Sequence, residues 1–140
     1  KIAIAQNGFD KKENITFIHT DALSYEFQEQ DAIILSDVLH YLSEKDQVTL
    51  LEKCMGYLHE NGLIVIREGA KELSERHIGT RITELFSTRI LGFNKTKAHG
   101  LHFITSQLIE GVASRYGFLV SVIDPSKLTS NIIFVLKKSK

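Results

Sequence analysis

Asp31-Ala32-Ile33-Ile34-Leu35-Ser36-Asp37-Val38-Leu39-His40-Tyr41-Leu42 is the stretch on which the fold turns. Its opening, Asp31 to Leu35, reads as a strand apolar on both faces, as a strand covered by helices on both sides must be. Ser43-Glu44-Lys45-Asp46 then predicts a helix start. The Ser43 hydroxyl can accept from an orphan backbone N–H, with an acid three residues on. Val48, Leu51, Met55 and Leu58 recur at helical spacing, with Cys54 on the same side. Asn61-Gly62 predicts the end of that helix. Leu63-Ile64-Val65-Ile66 predicts the next strand.

Working outward, Ile15-Thr16-Phe17-Ile18 reads as an earlier strand, β-branched and aromatic. The opening segment, Lys1 to Phe9, fits two periods: Ile2 and Ile4 alternate like a strand, while Ile2, Ala5 and Phe9 are spaced like a helix. Further on, Ile78, Ile82, Leu85, Phe86 and Ile90 predict an amphipathic helix. Thr105 or Ser106 caps another, carrying Leu108, Ile109, Val112, Ala113 and Tyr116 and closed by Gly117. Phe118 to Ile123 and Ile132 to Leu136 are the last strands. Too few residues join them for a parallel crossover, so this pair is expected to be antiparallel. The class is α/β, a mostly parallel sheet with one antiparallel strand.

Composition limits the function. The chain has 140 residues, 17 Lys+Arg against 17 Asp+Glu, and 43% hydrophobic residues. That predicts one soluble domain and removes the electrostatic footprint of a nucleic-acid binder. The apolar runs are far shorter than the roughly 20 residues a membrane helix needs. The one cysteine, Cys54, excludes an internal disulfide and fits a reducing, cytoplasmic setting. The chain opens on Lys1, which reads as a piece of something longer.

In open α/β sheets ligands bind beyond the carboxyl ends of the strands. The residues there are Asp21 after the first strand, Ser36-Asp37-Val38-Leu39-His40-Tyr41 after the second and Arg67-Glu68 after the third. Carboxylates at such a rim suit a ligand with amino or hydroxyl donors, not a phosphate. Structural roles compete for the same residues. Asp21 can cap a turn, Asp37 can cap a short helix, and His40 and Tyr41 can be packed side chains. Cys54, on an apolar helix face, reads as structural.

The order Asp31–Leu42, a helix, then Leu58-His59-Glu60-Asn61-Gly62-Leu63-Ile64-Val65-Ile66-Arg67-Glu68 resembles the second half of a class I S-adenosylmethionine-dependent methyltransferase. Asn61 stands where the first of two glycines usually sits in that family. Thr20-Asp21-Ala22 resembles its adenine-contacting acidic motif, and the closing antiparallel pair agrees with its final strands. The resemblance implies a Rossmann-like methyltransferase sheet, incomplete at its N-terminus. Lys1 to Phe9 would then be the helix after a missing second strand. The family's glycine-rich loop is absent, and Gly8 is the one glycine in the first 55 residues.

The resemblance also implies roles. Asp21 would accept from the adenine amino group of S-adenosylmethionine, with Ala22 beside the ring. Ser36, Asp37 and Val38 would line the methionine end, with Leu39 packed nearby. His40 and Tyr41 would lie close to the methyl donor, with His40 able to take a proton from a hydroxyl acceptor. Without the missing elements the chain is expected to bind the cofactor weakly or not at all. Exposed strand edges would favour self-association.

Substrate choice is expected in the 67–103 insertion, because loops on a rigid scaffold carry specificity. It holds seven Lys and Arg against four Glu. One reading is a lid over an anionic or amphipathic acceptor, small or lipid-like, contacted by Arg67, Glu68, Arg76, Arg81 and His102. The other is a solvated helix face with pairs such as Arg81 and Glu84. The histidines lack metal-ligand spacing, so no metal is expected. The segment around Arg76 to Arg81 and Gly92 to Lys95 resembles bacterial methyltransferase domains linked to lipid or polyene-lipid synthesis. The sequence therefore reads as a single partial methyltransferase domain over residues 1–140. The alternative is a non-catalytic Rossmann-like module for assembly or regulation.

Overall fold

The computed structural model describes residues 14–69, 102–123 and 131–139. Among the described residues four strands form one sheet: β1 (Gln30–Ser36), β2 (Leu58–Gly69), β3 (Phe118–Ile123) and β4 (Asn131–Lys138). Their order is β1-β2-β4-β3. β1 and β2 pair in parallel, and β4 lies antiparallel to both of its neighbours, β2 and β3. Three strands thus share a direction and β4 opposes them, as the short connection between the last two strands requires.

Helix α1 (Glu44–Gly56) starts where the sequence signals it. Ser43 Oγ accepts from the Asp46 N–H at 3.2 Å, and the hydroxyl in turn donates to Asp46 Oδ2 at 2.7 Å. Helix α2 (Ser106–Arg115) is capped by Thr105, whose side chain accepts from the Leu108 N–H. The chain leaves α2 through Gly117 at φ 72°, a left-handed conformation that costs glycine little.

Both helices cover the same sheet face. Ile33 and Leu35 of β1, Ile64 and Ile66 of β2, and Ile132, Phe134 and Leu136 of β4 pack with Leu50, Leu51, Cys54 and Met55 of α1 and Ile109, Val112 and Ala113 of α2. Burial pushes the Cys54 thiol up to about 12, the nearby Lys53 only partly opposing it. That leaves the residue a packing group rather than a nucleophile.

Three expectations are corrected. Asp31 to Leu35 is not covered on both faces: Ile34 is 70% exposed, because α1 and α2 both pack on the Ile33–Leu35 side. Ile15 to Ile18 forms no strand. A strand is held by a neighbour's ladder, and this segment pairs with none of the four, so Ile15 and Ile18 face solvent. Finally, α1 ends at Gly56 rather than at Asn61-Gly62. Leu58 already pairs with Gln30, and the Gln30 N–H donates to the Tyr57 carbonyl at 2.9 Å. The proposed helices at Lys1 to Phe9 and Ile78 to Ile90 lie outside the described residues.

Gly62 serves close approach instead of a helix end. A Cβ there would sit 2.7 Å from Leu58 Cγ and 2.9 Å from the Asp31 carbonyl oxygen. Gly62→Ala is expected to destabilise the fold by about 1–3 kcal/mol, since backbone on one side cannot yield as a flexible side chain would. Urea denaturation checks this, the midpoint falling at unchanged slope.

Candidate functional site

β1 ends at Ser36, and the chain must turn sharply off the sheet. Asp37 makes that turn at φ 55°, a left-handed conformation that aspartate tolerates better than most residues. The Asp37 N–H still donates to the Arg67 carbonyl at 2.9 Å, extending the parallel ladder by one step. Its carboxylate pairs with the Arg67 guanidinium and accepts from Ser36 Oγ at 3.1 Å. Both charged side chains are half-exposed at the rim.

One 3-10 turn follows, Leu39–Tyr41, and beneath it lies Glu68. Glu68 follows Ile64 and Ile66 on the inward parity of β2 and is completely buried. A buried carboxylate is tolerated only where donors surround it. Here Oε1 accepts from the Val38 N–H at 2.6 Å and from the Leu39 N–H at 2.5 Å. Oε2 lies 2.7 Å from His40 Nδ1. A carboxylate only accepts, so Nδ1 carries the hydrogen and the imidazole's basic lone pair is on Nε2. The His40 side chain is 12% exposed, and the ring of Tyr41, half-exposed, tilts against it with centroids 4.0 Å apart.

A second buried polar side chain holds the turn from the other side. Gln47, on the first turn of α1, donates from Nε2 to the carbonyls of Leu39 at 3.0 Å and His102 at 2.7 Å, with Leu42 at 3.4 Å. The His102 N–H donates to the His40 carbonyl at 3.0 Å. His102 meets the turn through its backbone, and the residue as a whole is exposed.

The structure therefore brings Ser36, Asp37, Val38, Leu39, His40, Tyr41, Arg67, Glu68 and His102 into one group. Asp21 and Ala22 belong to a separate turn. Asp21 Oδ1 accepts from the Leu23 and Ser24 N–H groups, and Ala22 packs against the core. That turn is tied to the last turn of α1 by Lys53, whose ammonium donates to the Leu23 carbonyl at 2.8 Å. Arg76 and Arg81 lie outside the described residues.

Glu68 was expected to meet an acceptor, and its place is different: both oxygens are engaged by residues 38–40, under the imidazole. Parity carries a signal for this, since a glutamate on the same face as Ile64 and Ile66 needs an internal partner. Gln47 had a weaker signal, its spacing to Leu50, Leu51 and Cys54 on the buried side of α1.

A family model described as an O-methyltransferase domain matches residues 2–107. No curated protein matches the chain. Among solved structures, an O-methyltransferase family protein from Burkholderia thailandensis is 16% identical with a TM-score of 0.69, over 99% of this chain and 40% of its own. An N-methyltransferase from Bradyrhizobium japonicum, solved with S-adenosyl-L-homocysteine, is 13% identical at 0.68, over 99% of this chain and 62% of its own. Human N-acetylserotonin methyltransferase, solved with SAM, is 23% identical at 0.67, over 99% of this chain and 38% of its own. These likenesses show a shared fold, and this chain spans less than two thirds of the length of each of the three.

Proposed function

Because the chain belongs to the O-methyltransferase domain family, we propose that it carries the acid–base half of an S-adenosylmethionine-dependent methyltransferase acting on the hydroxyl of a small molecule. The observation that carries this reading is the buried Glu68 carboxylate 2.7 Å from His40 Nδ1, at the rim where β1 and β2 end. A hydroxyl is a poor nucleophile until its proton has somewhere to go. His40, fixed as the Nδ1–H tautomer, offers Nε2 for that proton. The resulting imidazolium would be stabilised by the carboxylate already bonded to it, the charge pair forming where water is scarce.

The residues present fit one side of the cofactor. Ser36 and Asp37 put a hydroxyl and a carboxylate at the strand ends, beside the apolar Val38 and Leu39. Asp21 has one carboxylate oxygen committed to its own turn, and the other is the acceptor assigned to the adenine amino group, with Ala22 against the ring. When bound, the cofactor supplies a sulfonium-activated methyl group. The task of this chain is to hold the acceptor oxygen in line with that methyl and to take its proton. Tyr41, half-exposed beside the imidazole, gives a flat surface for the acceptor, and the half-exposed Arg67 and exposed His102 of the same group are its further contacts in this reading. The cation excess of the 67–103 segment supports an acceptor carrying an anionic group.

The test is transfer from labelled S-adenosylmethionine to a panel of hydroxyl-bearing small molecules, paired with calorimetric titration by S-adenosylhomocysteine, both on the full-length protein. Label appearing on oxygen, with measurable binding, is the expected result. Binding without transfer to any hydroxyl would return the chain to the assembly-module alternative, and no binding would remove the cofactor assignment as well.

A further inference from the structure

Among the described residues, two polar side chains are buried in the core, and proton transfer uses only Glu68. The other, Gln47, is 1% exposed and reaches three carbonyls with one amide nitrogen. Two of them, Leu39 and Leu42, belong to the turn that carries His40. The third belongs to His102, whose N–H also closes on the His40 carbonyl. The backbone of the base is thus stitched to that of His102, and Gln47 supplies the side-chain half of the stitch.

Packing alone does not need an amide there. Leu50, Leu51 and Cys54 fill the same face of α1 with apolar groups, and a methionine at 47 would occupy a similar volume. The Leu39 carbonyl already accepts the Leu42 N–H at 2.9 Å, so what the Gln47 amide adds is a link from that turn to the backbone of His102. We infer that Gln47 is a positioning residue for the reaction: its amide clamps the 39–42 turn to the backbone of 102 and so sets where His40 Nε2 meets the acceptor oxygen. This inference rests on the reading of His40 as the base.

A double-substitution cycle on the full-length protein tests it. Gln47→Met keeps the volume and removes the donor. It is expected to lower kcat by about 10–100-fold, the scale of a small misplacement of a reacting group. Cofactor affinity by calorimetry should stay within about twofold. In a His40→Ala background the same substitution should add no further loss, because a clamp on the base has nothing left to position. A loss of equal factor in both backgrounds, or an unchanged kcat in the single variant, overturns the inference while leaving the base assignment intact. If His40→Ala itself has no effect, the base assignment is what fails.

Gln47→Glu gives an independent reading should the methionine variant fold poorly. Protonated, the new side chain can still donate to one carbonyl. Ionised, it faces three carbonyl oxygens and can donate to none, so its activity should fall as pH rises through a transition that the unaltered protein lacks. A pH–rate profile of unchanged shape overturns the clamp.

Discussion

Replacing His40 by alanine is expected to lower the rate of methyl transfer by about 10²–10⁴-fold, the usual contribution of a positioned general base. Cofactor affinity should change little, since the imidazole bonds to the buried Glu68 carboxylate, whereas Ser36 and Asp37 bond to each other and to Arg67. The asymmetry is the test. A side chain that only packs would weaken binding and turnover together, because losing it would loosen the whole 38–42 turn. A base acts on one step, so initial rates at saturating cofactor collapse while calorimetry with S-adenosylhomocysteine reads nearly the same affinity. The substitution also strips one donor from a buried carboxylate, at a cost of about 1–3 kcal/mol. A thermal melt on the same sample shows whether the fold survives. Equal losses in turnover and affinity would demote His40 to packing.

The sequence carries most of the sheet because its signals are local. Ser43 and Thr105 are caps with a hydroxyl at the right place, and both make the expected bonds. The short connection after Ile123 forces β4 antiparallel, as found. Where the sequence misleads, a tertiary relation decides. Ile34 reads as core by composition, yet which faces are covered depends on where α1 and α2 settle. Ile15 to Ile18 has strand chemistry and joins no ladder of the four described strands. Gly62 looks like a helix end, and its real constraint is the Asp31 carbonyl, 31 positions earlier in the chain and one strand away. The site follows the same rule. His40 is legible from its place after a strand, whereas the partnership with Glu68 spans 28 positions and shows only as parity on β2. Gln47 reaches His102 across 55 positions, and nothing near it in the sequence marks that crossing.

Two substitutions at Glu68 should separate its structural work from its chemical work. Glu68→Leu removes every acceptor beneath the turn. The Val38 and Leu39 N–H groups and His40 Nδ1 would lose the carboxylate they share, each loss worth about 1–3 kcal/mol. The expected destabilisation is roughly 3–9 kcal/mol, large against the total stability of a domain. Glu68→Gln is the sharper experiment. Its single carbonyl oxygen can still accept from Val38 and Leu39, which fixes the amide's orientation. The opposite orientation would set an NH₂ group against two N–H donors. With the oxygen so placed, the amide nitrogen faces His40 Nδ1 as a donor, and Nδ1 must then accept. The imidazole hydrogen moves to Nε2, where the acceptor proton was to go. The fold persists and the base is lost, a wrong-tautomer defect whose scale elsewhere is about 10⁴-fold in turnover. Nitrogen NMR shifts of the His40 ring report which nitrogen is protonated, independently of activity. The expected pair of results is a melting curve close to that of the unaltered protein together with an exchanged tautomer and lost transfer. A glutamine variant that keeps both its turnover and the Nδ1–H form would show that the carboxylate beneath His40 is scaffolding alone.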